Sequence, residues 1–212
     1  MAEKVRCVII CGSPEFDTEF VKNFVNTEND YIICADSGYT TALAAGIKPD
    51  LFIGDFDSYV GTVENGVEVI KLNTHKDDTD SMHCAEVAIK KGFKKISLLA
   101  ATGARLDHTL ANICVLEYLS DKGVEASIEN RNETVKFLPE GEYIYNGYNN
   151  KTFSVIPFGC ESAVVTYEGE VEYPAKSLEL KSSIAVGISN IFRGDSVKIK
   201  VLSGNALVIV NI

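Results

Sequence analysis

Basic residues, proline and long apolar runs are all scarce in this chain of 212 residues. The chain has 20 Lys and Arg residues against 30 Asp and Glu residues, which gives a formal net charge of −10. Nucleic acids and anionic membrane surfaces bind clusters of Lys and Arg, so we expect neither as a partner. A small phosphorylated ligand is compatible with this charge, because a bound metal ion can reverse the sign of a site locally.

Membrane-spanning and export segments are also missing from the sequence. No apolar stretch approaches the roughly 20 residues that a transmembrane helix needs. The apolar run at residues 5–11 is shorter than the core of a signal peptide, and it is typical of a buried strand. The chain has 5 prolines and no low-complexity tract, so we do not expect extensive disorder.

Cysteine pairs of the C-x-x-C type do not occur. The 6 cysteines lie mostly inside apolar segments, where a free thiol behaves as a small hydrophobic group. Cys7 and Cys11 would lie ~13 Å apart along a strand, which is too far to share one metal ion. Free structural thiols are typical of reducing compartments, so we expect a cytoplasmic protein.

Residues 1–130 alternate apolar runs with helical patterns. We predict strands at 5–11, 31–35, 49–54, 67–72, 96–100 and 124–129, and helices at 17–26, 38–45, 79–91 and 110–122. Continuous apolar strands separated by helices indicate a parallel sheet that is covered on both faces. The pattern therefore predicts an N-terminal parallel-sheet α/β domain, Rossmann-like, at residues 1–130.

Residues 131–212 have a different pattern. Short β-branched and aromatic runs are separated by turn residues such as Asn-Gly and Ser-Gly-Asn, with no amphipathic helical period. Short strands at this spacing are typical of a sandwich or barrel. We predict a C-terminal all-β sandwich domain, and we interpret Gly-Ile-Ser-Asn at 187–190 as a turn.

Acidic residues follow four of the predicted strands. They lie in Ala-Asp-Ser-Gly (35–38), Gly-Asp-Phe-Asp-Ser (54–58), Lys-Asp-Asp-Thr-Asp (76–80) and Thr-Gly-Ala-Arg-Leu-Asp-His-Thr-Leu-Ala-Asn (102–112). Ligands of parallel α/β sheets bind outside the carboxyl ends of the strands. We therefore expect these side chains to meet at one edge of the sheet.

Each acidic cluster has a structural alternative when it is considered alone. Aspartate after a strand also forms turns or caps the next helix, and Ser37, Asp78 and Thr79 are candidate N-caps. Together, however, the carboxylates would repel one another unless a cation neutralised them. Mg²⁺ suits such a site, because it binds one or two carboxylates together with phosphate oxygens and water.

Groups that suit phosphate follow the same strands. Arg105 could hold phosphate oxygens in a bidentate geometry and Lys76 as a point charge. Gly38, Gly54 and Gly103 would allow close approach of the backbone to a ligand. This combination favours phosphoryl or nucleotidyl transfer, although neither a G-x-x-x-x-G-K-[ST] loop nor a G-x-G-x-x-G motif after the first strand occurs.

The histidines are less informative than the acidic clusters. His108 follows Asp107 and precedes the helix predicted at 110–122. It could act as a proton shuttle or have a structural role at the start of that helix. His75 and His83 lack a partner pattern, so we expect them at the surface.

Together with Gly-Ile-Ser-Asn (187–190), these motifs resemble those of the thiamine pyrophosphokinase family, in the same order and over nearly the whole chain. The resemblance implies transfer of the β,γ-diphosphate of ATP to the hydroxyl of thiamine, with release of AMP. It also implies Mg²⁺ as cofactor and a homodimer, in which thiamine binds between the α/β domain of one subunit and the β domain of the other.

The resemblance also implies roles for individual residues. Asp55, Asp57 and Asp80 would hold Mg²⁺ and the transferring phosphates, and Ser189 and Asn190 would lie near thiamine. The residues that would bind ATP and its phosphates are Asp36, Lys76, Asp77, Thr102, Gly103, Arg105 and His108. Those counted as catalytic are Asp55, Asp57, Asp80, Arg105 and Asp107.

Ser37 and Ala104 depart from the family pattern, which more often has glycine at both positions. A methyl group at residue 104 is costly if the backbone there needs a positive φ. The transfer itself depends on in-line positioning and charge neutralisation, with Asp107 or another nearby carboxylate as acceptor of the alcohol proton.

Two other functions are compatible with parts of the pattern. An Asp-x-Asp phosphatase would use one aspartate as a covalent phosphate acceptor, but such enzymes usually place the pair after the first strand, and here it follows the third. A non-catalytic nucleotide sensor is the second alternative, and the number of carboxylates argues against it.

Overall fold

The computed structural model describes residues 4–55, 61–73 and 78–212. The chain divides into two compact units, Met1–Arg131 and Asn132–Ile212. Each unit has a hydrophobic core built from its own residues. Within the described ranges, no helix is long and apolar enough to cross a membrane.

The first unit is built on a parallel sheet with the strand order β6-β5-β1-β2-β3-β4. Its strands are β1 (Arg6–Ile10), β2 (Asp30–Ala35), β3 (Leu51–Gly54), β4 (Glu68–Lys71), β5 (Lys95–Leu99) and β6 (Glu125–Glu129). Its helices are α1 (Thr18–Phe24), α2 (Gly38–Ala44), α3 (Asp80–Lys90) and α4 (Leu106–Asp121). The parallel strands and intervening helices agree with the pattern predicted from the sequence.

The central strands of this sheet are apolar because both of their faces are covered. Ile9, Ile33, Phe52 and Leu98 are fully buried, whereas the residues of β4, at the edge of the sheet, are mostly exposed. Cys7, Cys11, Cys34 and Cys84 are buried free thiols, and burial raises the pKa of Cys11 to about 12. These thiols therefore pack as small hydrophobic groups, as predicted.

Helix α4 begins at Leu106, earlier than the predicted start at residue 110. The prediction was wrong because the first turn lacks a buried apolar face: Leu106 is 73% exposed, and Arg105, at the N-cap, makes no capping bond with its side chain. Asp107 and His108 therefore lie inside the first turn of the helix rather than in the loop before it.

The second unit contains two antiparallel sheets and, in residues 132–212, no helix. Its strands are β7 (Glu133–Leu138), β8 (Gly141–Asn146), β9 (Thr152–Pro157), β10 (Ser162–Glu168), β11 (Leu178–Lys181), β12 (Asn190–Ile191), β13 (Ser196–Ser203) and β14 (Ala206–Asn211). Within this unit, the strands of one sheet have the order β12-β9-β14-β7, and the other sheet has four strands in the order β11-β10-β13-β8.

Side chains of both sheets form one hydrophobic core in this unit. Phe153, Val155 and Val208 come from the first sheet, and Val165 and Ile199 come from the second. Buried and partly exposed residues alternate along β9 and β10, as a strand with one covered face requires. Such alternation made the longer strands predictable, but the two-residue strand β12 was not predicted, and the turn expected at 187–190 ends inside it.

Candidate active site

A cavity of about 390 Å³ opens at the carboxyl ends of β1, β2 and β5 in the first unit. Segments that follow these strands line it, together with the first turns of α3 and α4. The predicted site residues in its lining are Asp36, Asp80, Gly103, Arg105 and His108. Side chains that are far apart in the sequence therefore meet where a parallel α/β sheet binds its ligands.

The segment after β2 is held tightly against the end of β1. A Cβ atom on Gly38 would collide with the carbonyl oxygen of Ile10, so only glycine fits there. Ser37 donates its hydroxyl to the carbonyl oxygen of Gly12 at 3.2 Å and makes no capping bond to α2. The proposed capping role of Ser37 is therefore wrong, because its hydroxyl bonds to the neighbouring loop instead.

Asp36 lies at the turn between β2 and α2 with a φ of 46°. Its N–H extends the pairing of β2 with β3 by donating to Ile53 O at 2.8 Å. A Cβ atom on Gly54 would lie 3.0 Å from the Cα of Asp36, so the end of β3 passes directly beside this residue. Asp55 follows Gly54 and is half-buried, whereas Asp57 lies outside the described residues.

Helix α3 presents its N-terminus to the cavity. The Thr79 hydroxyl caps the helix by accepting from Met82 N at 3.3 Å, as one of the predicted alternatives proposed. Asp80 lies in the first turn, where the helix dipole favours a carboxylate. His83 is partly exposed, and its Nε2 lies 2.8 Å from Asp78 Oδ1, a partner that the sequence does not indicate.

The remaining predicted residues of this segment, His75, Lys76 and Asp77, lie outside the described residues. Asp36, Asp78 and Asp80 line the cavity and supply only oxygen donors. Within residues 4–55, 61–73 and 78–212, no group of three or more His, Cys, Asp or Glu has the geometry of a metal site. The described donor set nevertheless fits Mg²⁺, which needs one or two carboxylates and takes its other ligands from phosphate and water.

The loop between β5 and α4 has an unusual backbone. Gly103 has a φ of 98° and Ala104 a φ of 40°, so both residues are left-handed. The methyl group of Ala104 therefore lies at a position that favours glycine. The N–H of Ala104 donates to Glu15 Oε2 at 2.9 Å.

Two polar residues that support this loop were not singled out from the sequence. Glu15 lies 89 positions from Ala104, and nothing in its local sequence indicates the contact. Asn112 is buried in α4 and donates from Nδ2 to Ala101 O at 2.7 Å, which fixes the end of β5. Asn112 is the last residue of the motif at 102–112, but the sequence does not indicate that its side chain holds the backbone of this loop.

Arg105 and Asp107 bind each other at the start of α4. Arg105 Nη2 lies 2.6 Å from Asp107 Oδ2, Nε lies 3.1 Å from Oδ1, and both side chains are 66% exposed. The hydrogen bond from Arg105 lowers the pKa of the Asp107 carboxyl, which also accepts from His108 N. A carboxylate in this pair is a weak proton acceptor while the pair is intact.

Thr102 and Asp107 do not belong to the cavity lining. The Thr102 hydroxyl instead accepts from Asn130 Nδ2 at 3.2 Å. Asp107 reaches the cavity only through its partner Arg105, which does line it. The Thr102 side chain therefore bonds to Asn130 and does not face the cavity that a ligand would occupy.

Ser189 and Asn190, the predicted thiamine residues, lie in the second unit. Asn190 is 4% exposed; its Oδ1 accepts from Tyr173 N at 2.9 Å, and its Nδ2 donates to Tyr173 O at 2.8 Å. Ser189 is exposed, with a φ of 57°. Asn190 thus holds the backbone of Tyr173, and Ser189 is the member of the pair that solvent reaches.

Comparison with known proteins identifies the family. Residues 23–128 match the family model described as thiamin pyrophosphokinase, catalytic domain. Residues 140–205 match the model described as thiamin pyrophosphokinase, vitamin B1 binding domain. The two matches follow each other along the chain, and both models describe the family that the sequence motifs resemble.

Relatives with the same description cover most of the chain. Thiamine pyrophosphokinase of Bacillus subtilis (strain 168) is 30% identical over 86% of this chain and 87% of its own length. A crystal structure of thiamine pyrophosphokinase from Bacillus subtilis has a TM-score of 0.86 at 25% identity and covers 97% of this chain and 98% of its own. A crystal structure of thiamin pyrophosphokinase from Geobacillus thermodenitrificans has a TM-score of 0.84 at 25% identity and covers 98% of both chains. The chain belongs to the thiamine pyrophosphokinase family.

Proposed function

We propose that this enzyme transfers the β,γ-diphosphate of ATP to the hydroxyl of thiamine and releases thiamine diphosphate and AMP. The observation that supports this reaction most directly is the cavity that collects Asp36, Asp80 and Arg105 at the strand ends. The phosphatase alternative is not favoured, because both matched domains and the relatives are thiamine pyrophosphokinases.

ATP would bind with its phosphates in this cavity. Gly103 brings the backbone close to the ligand, and Arg105 offers a bidentate guanidinium to phosphate oxygens. Asp36, Lys76, Asp77, Thr102 and His108 complete the proposed nucleotide and phosphate site. Thr102 would act through the position of the loop, since it does not line the cavity.

Asp55, Asp57 and Asp80 are the proposed ligands of Mg²⁺. The bound ion would neutralise charge on the transferring phosphates, as phosphoryl transfer requires. Asp80 is well suited to this role, because it lines the cavity from the first turn of α3. Asp55 follows β3 beside Asp36, where a half-buried carboxylate can reach the same edge of the sheet.

Asp107 is the proposed acceptor of the proton from the thiamine hydroxyl. Its pKa is lowered by Arg105 while the two side chains are paired. If Arg105 turned to the phosphates, this stabilisation of the carboxylate would be lost, and the pKa of Asp107 would rise. Binding of ATP would then produce a stronger base than the ligand-free enzyme has.

We assign residues 1–130 to a Rossmann-like ATP- and Mg²⁺-binding catalytic domain and residues 131–212 to a thiamine-binding and dimerisation domain with a sandwich fold. The core shared by both antiparallel sheets supports the sandwich. Tyr173, Ile184, Val186 and Ile188 are exposed apolar side chains, which suits burial by a ligand or a second subunit. The enzyme would form a homodimer with thiamine, near Ser189 and Asn190, between its subunits, in the cytoplasm.

Substitution of Asp80 tests the metal site. We expect Asp80→Asn to reduce turnover by on the order of 10²-fold, because a carboxylate that neutralises the transition state is lost. AMP formation measured at increasing Mg²⁺ concentrations should show a higher Mg²⁺ requirement for the variant.

Glu86→Gln on the outer side of the same helix provides the matched control, since Glu86 pairs with Lys90 at 3.6 Å and is not part of the cavity lining. Asp57→Asn should behave as Asp80→Asn does. Wild-type turnover and Mg²⁺ dependence in both variants would refute the proposed metal site.

A further inference from the structure

Two loops beside the cavity are bonded to each other in the first unit. The first loop, residues 12–15, follows β1, and the second, residues 100–105, joins β5 to α4. Ser13 N donates to Ala100 O at 3.0 Å, and Glu15 N donates to Ser13 Oγ at 3.3 Å. Glu15 then accepts the N–H of Ala104 at 2.9 Å, so the two loops are joined at both ends of the second loop.

Glu15 contacts the second loop at Ala104, where the backbone conformation is least favourable. Ala104 has a φ of 40°, and a left-handed backbone is unfavourable for a residue with a Cβ. A hydrogen bond from a backbone N–H to a carboxylate is stronger than one to a neutral acceptor, and this bond stabilises the left-handed backbone. The bond to Glu15 therefore favours this conformation of Ala104.

Glu15 also accounts for the glycine beside Ala104. A Cβ atom on Gly103 would lie 2.8 Å from Glu15 Oε2 and 3.1 Å from Glu15 Cβ. The cavity lining includes Gly103 and Arg105 but not Glu15. Glu15 thus contacts the loop without being part of the cavity lining.

We propose that Glu15 is a positioning residue that holds the loop 103–105, and through it Arg105, in the geometry that binds the phosphates of ATP. Arg105 directly follows Ala104, so a change in φ at Ala104 redirects the guanidinium. Glu15 makes no contact with substrate in this role. The identity of the ligand rests on the proposed function, whereas the effect of Glu15 on the loop does not.

Steady-state kinetics test the proposal through its effect on one substrate. We expect Glu15→Ala to raise KM for Mg·ATP by at least about five-fold, while KM for thiamine changes by less than about two-fold. Glu15→Gln keeps a side-chain oxygen that accepts a hydrogen bond and should retain most of the affinity. Glu28→Ala, which removes another exposed carboxylate of the same unit, should match the wild type.

A second substitution tests the role of strain at Ala104. Ala104→Gly removes the methyl group that disfavours the left-handed backbone, so it should restore much of the ATP affinity in the Glu15→Ala background. Equal loss in Glu15→Gln and Glu15→Ala, or no restoration by Ala104→Gly, would overturn the proposed role of the hydrogen bond.

Amide exchange separates this proposal from the proposed reaction. Hydrogen–deuterium exchange in the peptide that contains Ala104 should be faster in Glu15→Ala than in the wild type, because the donor loses its acceptor. Trypsin cleavage after Arg105 should be faster as well. Failure of the wild type to form AMP would reject the reaction alone, whereas unchanged exchange, cleavage and KM for Mg·ATP in a folded Glu15→Ala variant would reject the role of Glu15.

Discussion

Each unit of the protein has a buried asparagine whose side chain holds the backbone. Asn112 fixes the end of β5 through Ala101 O, and Asn190 bonds to both the N–H and the C=O of Tyr173. Each side chain is at most 7% exposed. Removing either amide would take away a hydrogen bond that a buried side chain makes to the backbone, which lowers stability.

Asn190→Ala should therefore reduce stability and not only thiamine binding. We expect the free energy of unfolding to fall by ~1–3 kcal/mol, since Tyr173 loses both of its partners on this side chain. Urea denaturation followed by circular dichroism measures this change. Ser189→Ala is the matched control, because Ser189 is exposed, and its effect should stay within about 0.5 kcal/mol. Wild-type stability of Asn190→Ala would contradict the structural role.

The convergence of Asp36, Asp80, Gly103 and Arg105 at one cavity was predictable, because each follows a strand of a parallel sheet. The supporting contacts were not predictable. Glu15 and Ala104 are 89 positions apart, and only the folded backbone shows that the loops touch. The pairing of Arg105 with Asp107 was not predicted either, because both side chains were expected to contact the substrates.

Neighbouring strands of the second unit are joined by a ladder of charges. Lys200 lies 2.9 Å from Glu142 and 2.6 Å from Glu168, and Lys198 lies 2.8 Å from Glu142. These contacts connect β8, β13 and β10. Hydrogen bonds from Lys198 and then Lys200 lower the pKa of Glu142 to about 2.

The charge ladder should make stability depend on pH. The pKa of Glu142 is lower in the folded state than the ordinary value of 4.5, so its contribution exists above pH 4.5 and is lost as the pH falls toward 2. Glu142→Gln should therefore destabilise the protein at pH 7 and have a smaller effect at pH 3.

Urea midpoints at both pH values measure this difference. Glu140→Gln, at an exposed position just before β8, provides a control that should not show the pH-dependent difference. An effect of Glu142→Gln that is equal at pH 7 and pH 3 would contradict the assigned pKa. High salt should reduce the effect at pH 7, because the charges are exposed to solvent.

The strands of both units were predictable where the pattern of apolar residues along the sequence matches the pattern of buried positions. Strand β1 has apolar side chains at consecutive buried positions, and β9 alternates buried with partly exposed residues. The start of α4 and the short strand β12 were missed, because their ends depend on contacts across the fold. Asn190 enters a strand by pairing with Phe153, which local sequence does not reveal.

The charge of the chain bears directly on its proposed reaction. A protein with a formal net charge of −10 and a cavity lined by Asp36, Asp78 and Asp80 repels a polyphosphate in the absence of cations. Within the described ranges, Arg105 is the one Lys or Arg residue in the cavity lining. The affinity for ATP should therefore be low when no divalent cation is present.

The products formed from Mg·ATP and thiamine test the proposed function most directly. We predict AMP and thiamine diphosphate in equal amounts, separated by ion-exchange chromatography, with no thiamine monophosphate as an intermediate. Formation of ADP together with thiamine monophosphate, or no consumption of thiamine by the folded enzyme, would contradict diphosphate transfer.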